Sequence, residues 1–167
     1  VGQWCKGGFG EDRKDIGRMI KLFLETFSNR PKHKTPALIL KTSFAGFSVL
    51  SKEKLLAQID FIKNMFPSNV NLPNIYLLYG DLEDKEMNQL YNHPKVKTMI
   101  SFTHGEGFGR PLLEATMTGL PVIASAWSGQ VDFLDENYSL LIGGKLQKVP
   151  EAARWKDIIL DESQWFN

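Results

Sequence analysis

The sequence predicts an α/β domain built on a doubly wound parallel sheet of about six strands with helices on both faces. Three observations carry that expectation. Short apolar runs rich in β-branched or aromatic residues recur between Gly, Pro and Asn. These runs are apolar on both faces and are interleaved with patterns of helical period, which is how a parallel sheet covered on both sides reads. Finally, 167 residues with 43% hydrophobic side chains are enough for one domain with a substantial core.

In chain order, "VGQW" opens as though already inside a first strand, and the Gly-rich stretch "CKGGFGEDRK" (5–14) follows it. Ile16, Met19, Ile20, Phe23, Leu24 and Phe27 then fall at the spacing of one buried helical stripe. "SNRPKHKTP" is a surface connection, and "ALIL" from 37 is the second strand, ending at Lys41. Leu55, Ile59, Ile62 and Phe66 form a second helical stripe, followed by the connection "PSNVNLPN". "NIYLLY" from 74, "TMISF" from 98, "PVIAS" from 121 and "SLLI" from 139 complete the strands. The stretch "DIILDESQWFN" stops with two aromatics in the last three residues. With the opening "VGQW" it reads as a piece of a longer protein.

Twenty Lys plus Arg against 19 Asp plus Glu give a formal charge of +1, so no global field points to nucleic acid or an anionic membrane. The single Cys5 excludes an internal disulfide and fits a reducing compartment. His33, His93 and His104 are spaced too widely for a helical or hairpin metal pair. No apolar run approaches the roughly 20 residues of a bilayer span, and no charged-then-apolar leader opens the chain. These totals read as a soluble, cytoplasmic protein.

In a doubly wound sheet ligands sit outside the carboxyl ends of the strands, where loops and helix N-termini converge. Two loops there are unusual. In "THGEGFGR" (103–110), Gly105, Gly107 and Gly109 let the backbone turn tightly and approach a ligand. Pro111 suits the first turn of a following helix, whose free amides and dipole make an anion site. A phosphate fits it, although a Gly-rich loop is also an ordinary tight turn. Glu106 and Glu114 flank the same point, and carboxylates beside a phosphate need another reason to be there. Sugar hydroxyls supply one, because a carboxylate accepts hydrogen bonds from them. The plainer alternative makes Glu114 a solvated helix residue and Glu106 a favourable charge near a helix N-terminus. Across the site the first loop offers Lys6, Arg13 and Lys14, and Lys41 should emerge at the same sheet edge. These are either cations for a diphosphate or a solvated basic turn.

The stretch "EGFGRPLLEATMTGLPVIAS", with "SGQVD" after it, resembles the donor-binding half of the retaining glycosyltransferases of GT-B fold, the family of bacterial mannosyltransferases and sucrose synthase. Glu106 and Glu114 match its glutamate, seven residues, glutamate spacing. Gly119, Pro121, Val122, Ile123 and Ala124 match the tail of its motif. Upstream, "VGQW" and "RKDIG" are similar to the family's opening strand and its R-K-G/D segment, so the resemblance covers residues 1–145.

The resemblance implies a Rossmann-like donor domain over 1–150. Residues 151–167 would start a helix, carrying Trp155 and Trp165, that crosses back to an acceptor domain preceding Val1. It implies that Glu106 holds hydroxyls of the transferred sugar and that Glu114 takes the ribose. Backbone amides of Gly109, Arg110 and Leu112 would hold the diphosphate, with Lys14 opposite, and Gly107 and Phe108 would belong to the same donor-binding loop. The Leu82 backbone and the Asp84 carboxylate, in "YGDLED", would meet the base, unless they form an ordinary loop and helix cap. One departure is Gln3, where many members carry Arg, so Arg13 or Lys6 would have to replace that cation. The implied reaction transfers a sugar from a nucleoside-diphosphate sugar with retention. Glu106 and Lys14 would be the catalytic pair, with no metal and no other cofactor. UDP or GDP, the sugar, and a sugar, lipid or protein acceptor stay open; membrane association would be left to the absent domain. A non-catalytic nucleotide-binding module on the same fold is the alternative. A dinucleotide fingerprint is excluded by Arg110 where its last glycine belongs, and a P-loop by the missing G-K-[ST].

Overall fold

The computed structural model describes residues 1–44, 46–156 and 158–167. Six strands run parallel: β1 (Gly2–Gln3), β2 (Leu38–Ser43), β3 (Ile75–Leu78), β4 (Met99–Ser101), β5 (Val122–Ser125) and β6 (Ser139–Ile142). They form two triples, β1-β2-β3 and β4-β5-β6, where a single continuous sheet was expected. The triples meet along β1 and β4. Ile100 and Phe102 pack on the core of the first triple, and Val1 packs on the core of the second.

Helices α1 (Ile16–Phe27) and α2 (Val49–Lys63) pack together over the first triple. The stripe read from the sequence is the buried face of α1: Ile16, Met19, Ile20, Phe23 and Leu24 are all inside. Helix α2 buries Leu55, Ile59 and Ile62 and is capped by Ser48, whose hydroxyl accepts from the Ser51 amide at 3.1 Å. Phe66 lies beyond its end yet still packs on the same cluster. Helix α3 (Asp84–Tyr91) begins with a reciprocal Glu83/Glu86 capping box. Helix α4 (Arg110–Met117) has Pro111 in its first turn and packs Leu112 and Ala115 against Val122 and Ala124.

The end of the chain differs from the expected helix. Glu151–Ala153 is a single 3-10 turn, and Gln164–Phe166 is a strand, β8, antiparallel to β7 (Leu146–Lys148). Trp165 explains it, because its ring is buried with Val149 and Ala153 and stacks on His104, which a solvated helix would not allow. Among the described residues no helix is long and apolar enough to cross a membrane.

Candidate functional site

The two Gly-rich loops meet at the carboxyl ends of β1 and β4. The His104 amide donates to the Arg13 carbonyl at 2.8 Å, and the Thr103 hydroxyl lies 3.2 Å from the same oxygen. Arg13 Nη1 donates to the Gly105 carbonyl at 2.6 Å and stands 3.4 Å from Glu106 Oε2. Lys14 Nζ pairs with Glu106 Oε1. Burial opposes the Glu106 charge, but the Lys14 hydrogen bond and field, the Thr103 hydroxyl and Arg13 outweigh it and hold the carboxyl below its ordinary value. Glu106 is therefore ionised at neutral pH and presents acceptors only.

A third segment fixes the Glu106 backbone. The Ser128 hydroxyl donates to the Glu106 carbonyl at 2.6 Å and accepts from the Glu106 amide at 3.2 Å. The Gly129 amide donates to the same carbonyl at 3.0 Å. Gly129 lies so close that a Cβ there would fall 2.1 Å from the Gly107 carbonyl oxygen. Gln130, fully buried, ties this turn to β5 by donating to the Ser125 carbonyl at 3.0 Å.

Helix α4 starts at Gly109, whose φ of 88° lies in the left-handed region that glycine occupies without strain. Among the described residues the amides of 107–110 have no protein acceptor, and they lie beside the helix dipole's positive end. Leu112, counted with them from the sequence, instead donates to the Gly109 carbonyl at 2.9 Å and buries its side chain.

A second charged group lies along α4. Arg110 Nε pairs with Glu114 Oε1 at 2.6 Å, and its Nη2 stands 3.5 Å from Asp84 Oδ1. The Tyr91 hydroxyl donates to Glu114 Oε2 at 3.4 Å. Burial first, and the Glu114 carboxylate second, push the Tyr91 hydroxyl well above its ordinary value, so it stays a donor at neutral pH. Asp84, Arg110 and Glu114, read separately from the sequence, thus form one group.

The remaining candidates divide. Lys41 donates to the Gly80 carbonyl at 2.7 Å, and with Lys14 it lines a small cavity beside Thr42. Gln3 ends β1 opposite Ser43 with its side chain exposed. Of the two cations offered in place of the missing one, Arg13 is at the site, whereas Lys6 donates to the Arg154 carbonyl at 3.2 Å. Leu82 is half-buried in the loop before α3. Phe108 is exposed, its ring 5.3 Å from that of Phe133.

Sequence reading missed Tyr91, Thr103, Ser128 and the clasp on His104. His104 Nδ1 lies 2.5 Å from the Phe166 carbonyl, its own carbonyl accepts from the Phe166 amide at 3.1 Å, and its ring stacks on Trp165 at 4.1 Å. The local signals were the quoted "THGEGFGR", which holds Thr103 and His104, and "SGQVD", which holds Ser128 and Gly129.

A parallel α/β sheet with free amides at a helix N-terminus and cations on a facing loop defines a class of α/β domains whose loop edge suits an anionic ligand. Within that class, the family model described as glycosyl transferases group 1 matches residues 67–161, more than half of the chain. The chain belongs to that family. The structure of Anabaena Alr3699/HepE in complex with UDP-glucose is similar in fold, with a TM-score of 0.50 and 19% identity. The match covers 86% of this chain and 34% of that one, so the chain spans about a third of that protein's length. Among curated protein sequences none matches.

Proposed function

We propose that this chain is the donor-binding half of a retaining glycosyltransferase. It binds a nucleoside-diphosphate sugar between loops 5–14 and 103–112. The observation that carries the reading is the Lys14–Glu106 pair beside the free amides of 107–110, which sets a cation, donors and an ionised acceptor at one point. Family membership supports the reaction class, and the UDP-glucose complex of Alr3699/HepE makes a UDP-sugar the first donor to try.

The amides and Lys14, with Arg13, receive the diphosphate and stabilise the charge that grows on it as the anomeric bond breaks. Glu106 orients the sugar hydroxyls, and Glu114 takes the ribose. The donor is a substrate, and neither a metal nor another cofactor is required. The acceptor is held by a second domain of the same protein, working in the cytoplasm, with any membrane association residing in that domain.

Calorimetric titration with UDP, GDP and UDP-glucose tests this. Glu114→Ala should weaken the free nucleotide and the nucleotide sugar alike, whereas Glu106→Ala should weaken only the sugar-bearing donor. A hydrogen bond to a charged acceptor is worth about 1.5–3 kcal/mol, so each affected affinity should drop roughly tenfold or more. No binding to the folded chain would sink the donor reading. Equal losses for both ligands in both variants would sink the division of roles.

A further inference from the structure

Next along both loops from the Lys14–Glu106 pair, a second contact joins them through side chains kept out of water. Asp15 is 3% exposed and His104 2%, and Asp15 Oδ2 stands 3.9 Å from His104 Nε2. Each is the chain neighbour of a site segment: Asp15 follows Lys14, and His104 precedes Gly105 and Glu106. Asp15 keeps its place with a φ of 49°, a left-handed conformation that persists in a non-glycine residue when its surroundings hold it.

The far side of the imidazole decides where the hydrogens are. His104 Nδ1 lies 2.5 Å from the Phe166 carbonyl oxygen, which only accepts, so Nδ1 carries a hydrogen. Burial lowers the proton affinity of the ring most, the Phe166 carbonyl opposes it, and the Arg18 charge lowers it further, so the ring is neutral at neutral pH. Its lone pair is then on Nε2, the nitrogen turned to Asp15. An ionised Asp15 would set acceptor against acceptor there. His104 Nε2 and Asp15 Oδ1 are both buried without a hydrogen-bond partner, and buried polar atoms left so are costly. One proton on the carboxyl removes the conflict, because its O–H can turn to Nε2 and a closure of about 1 Å gives a normal bond.

The charged groups that face Asp15 come from three elements. Arg18 of α1 places Nε 3.4 Å from Oδ2 and favours the anion, Asp12 of the first loop opposes it, and His104 is the third. Strand β8 adds the Trp165 ring and the Phe166 carbonyl, neither of which titrates. Burial outweighs Arg18 and, with Asp12, carries the Asp15 carboxyl up to about 7.

We propose that Asp15 and His104 are a positioning pair, sharing one proton that locks loop 5–14 to loop 103–110 and so holds Lys14 and Glu106 in place for the nucleotide sugar. The pair is buried and acts through its chain neighbours. Loss of the proton to solvent frees Asp15 to close on Arg18 and leave His104, and the contacts between Arg13–Asp15 and Thr103–Glu106 loosen at their buried end. What this says of the nucleotide sugar rests on the function proposed above; what it says of the loops does not.

The first readout needs no nucleotide. Nitrogen NMR of the His104 ring should show the hydrogen on Nδ1, and the Nε2 resonance should move with the amide resonances of Gly105, Glu106 and Gly107 along one titration with its midpoint near pH 7. In Asp15→Asn, whose side-chain amide keeps a hydrogen for Nε2 at every pH, that step should vanish. Asp12 titrates lower, at about 6, and its step would survive in this variant. Calorimetry with UDP-glucose, whose diphosphate stays fully ionised over the range, is then compared at pH 6 and pH 8. The affinity of the parent chain should fall roughly fivefold or more, that of Asp15→Asn should hold, and Asp15→Ala, with no hydrogen to give, should bind weakly at both. A neutral ring with its hydrogen on Nε2, or amides of 105–107 that ignore the Asp15 titration, would overturn the proposal. So would one and the same pH dependence of affinity in the parent chain and in Asp15→Asn. If no variant binds UDP-glucose while the resonances move together, the donor reading fails and the positioning of the loop by this pair stands.

Discussion

Gly129→Ala puts one methyl group where the structure leaves no room. The added carbon would lie 2.1 Å from the Gly107 carbonyl oxygen, 2.7 Å from the Gly107 carbonyl carbon and 3.0 Å from the Glu106 oxygen. All three are backbone atoms, so no side chain can rotate away. Ordinary contact needs about 3.5 Å, and the turn over 128–130 must therefore retreat by more than an ångström. That retreat breaks the Gly129 and Ser128 hydrogen bonds to the Glu106 carbonyl and stretches the Glu106 amide bond to Ser128. At roughly 0.5–1.5 kcal/mol net for each bond, the loss is about 2–3 kcal/mol. For a chain of this size that lowers Tm by about 5–10 °C.

The displacement falls on Glu106, so the functional consequence is selective. Measured well below the variant's Tm, affinity for a nucleotide sugar should fall by about tenfold and affinity for the free nucleotide by less. Gly143→Ala is the control, since nothing lies within 4 Å of its added carbon. If Gly129→Ala unfolds within a degree or two of the parent chain and binds both ligands normally, the close approach of the 128–130 turn to the donor loop is wrong.

Gly107→Ala should behave in the opposite way: its Cβ meets nothing within 4 Å, so Tm should hold, while calorimetry should show weaker donor binding because the methyl group stands where a ligand meets the free amides. Equal binding would remove Gly107 from the site. Burial first, and then the Asp12 charge, against the opposing pull of Arg18, raise the Asp15 carboxyl from 3.8 to about 7. Its contribution to stability is complete below about pH 3.8 and is lost as pH rises through about 7. Asp15→Asn, which tolerates the left-handed φ of 49°, should therefore gain in Tm over the parent chain between pH 5 and pH 8; a difference constant across that range would refute this. Trp165→Ala should cost about 3–5 kcal/mol as a buried aromatic truncation, and its loss of the His104 stack should also weaken nucleotide-sugar binding through the adjoining Gly105 and Glu106, as calorimetry on the folded variant would show.

Legibility followed the range of the interactions. The buried face of α1 was readable because a stripe at helical spacing needs only its own residues. The meeting of loops 5–14 and 103–110 was readable because parallel strands send their following loops to one edge. That put Arg13, Lys14 and Glu106 together before any contact was known. What escaped was set by partners distant in sequence. Trp165 looks like any aromatic until His104 stacks on it, and that stack turns the expected helix into β8. Ser128 and Gly129 were visible as residues, but nothing local says that their turn grips the Glu106 backbone. Tyr91 reads as the end of a short helix until Glu114 lies 3.4 Å away.

The sequence raised a physical difficulty, two glutamates beside an anion site, and the arrangement of charges resolves it. Each carboxylate has its own cation: Lys14 and Arg13 face Glu106, and Arg110 joins Glu114 to Asp84. The site is thus close to neutral before any ligand arrives, and an incoming diphosphate meets paired charges together with the amides of 107–110. For the proposed donor this arrangement implies an exchange. As the diphosphate draws Lys14 and Arg13 toward itself, Glu106 loses part of its pairing and needs new hydrogen-bond donors, which sugar hydroxyls provide. A free nucleoside diphosphate would make the same demand on the cations and leave Glu106 unsatisfied. A sugar without the diphosphate would find Glu106 still engaged. The pairing therefore favours the intact donor over either of its parts, and it does so through two side chains, Lys14 and Glu106, that form one ion pair.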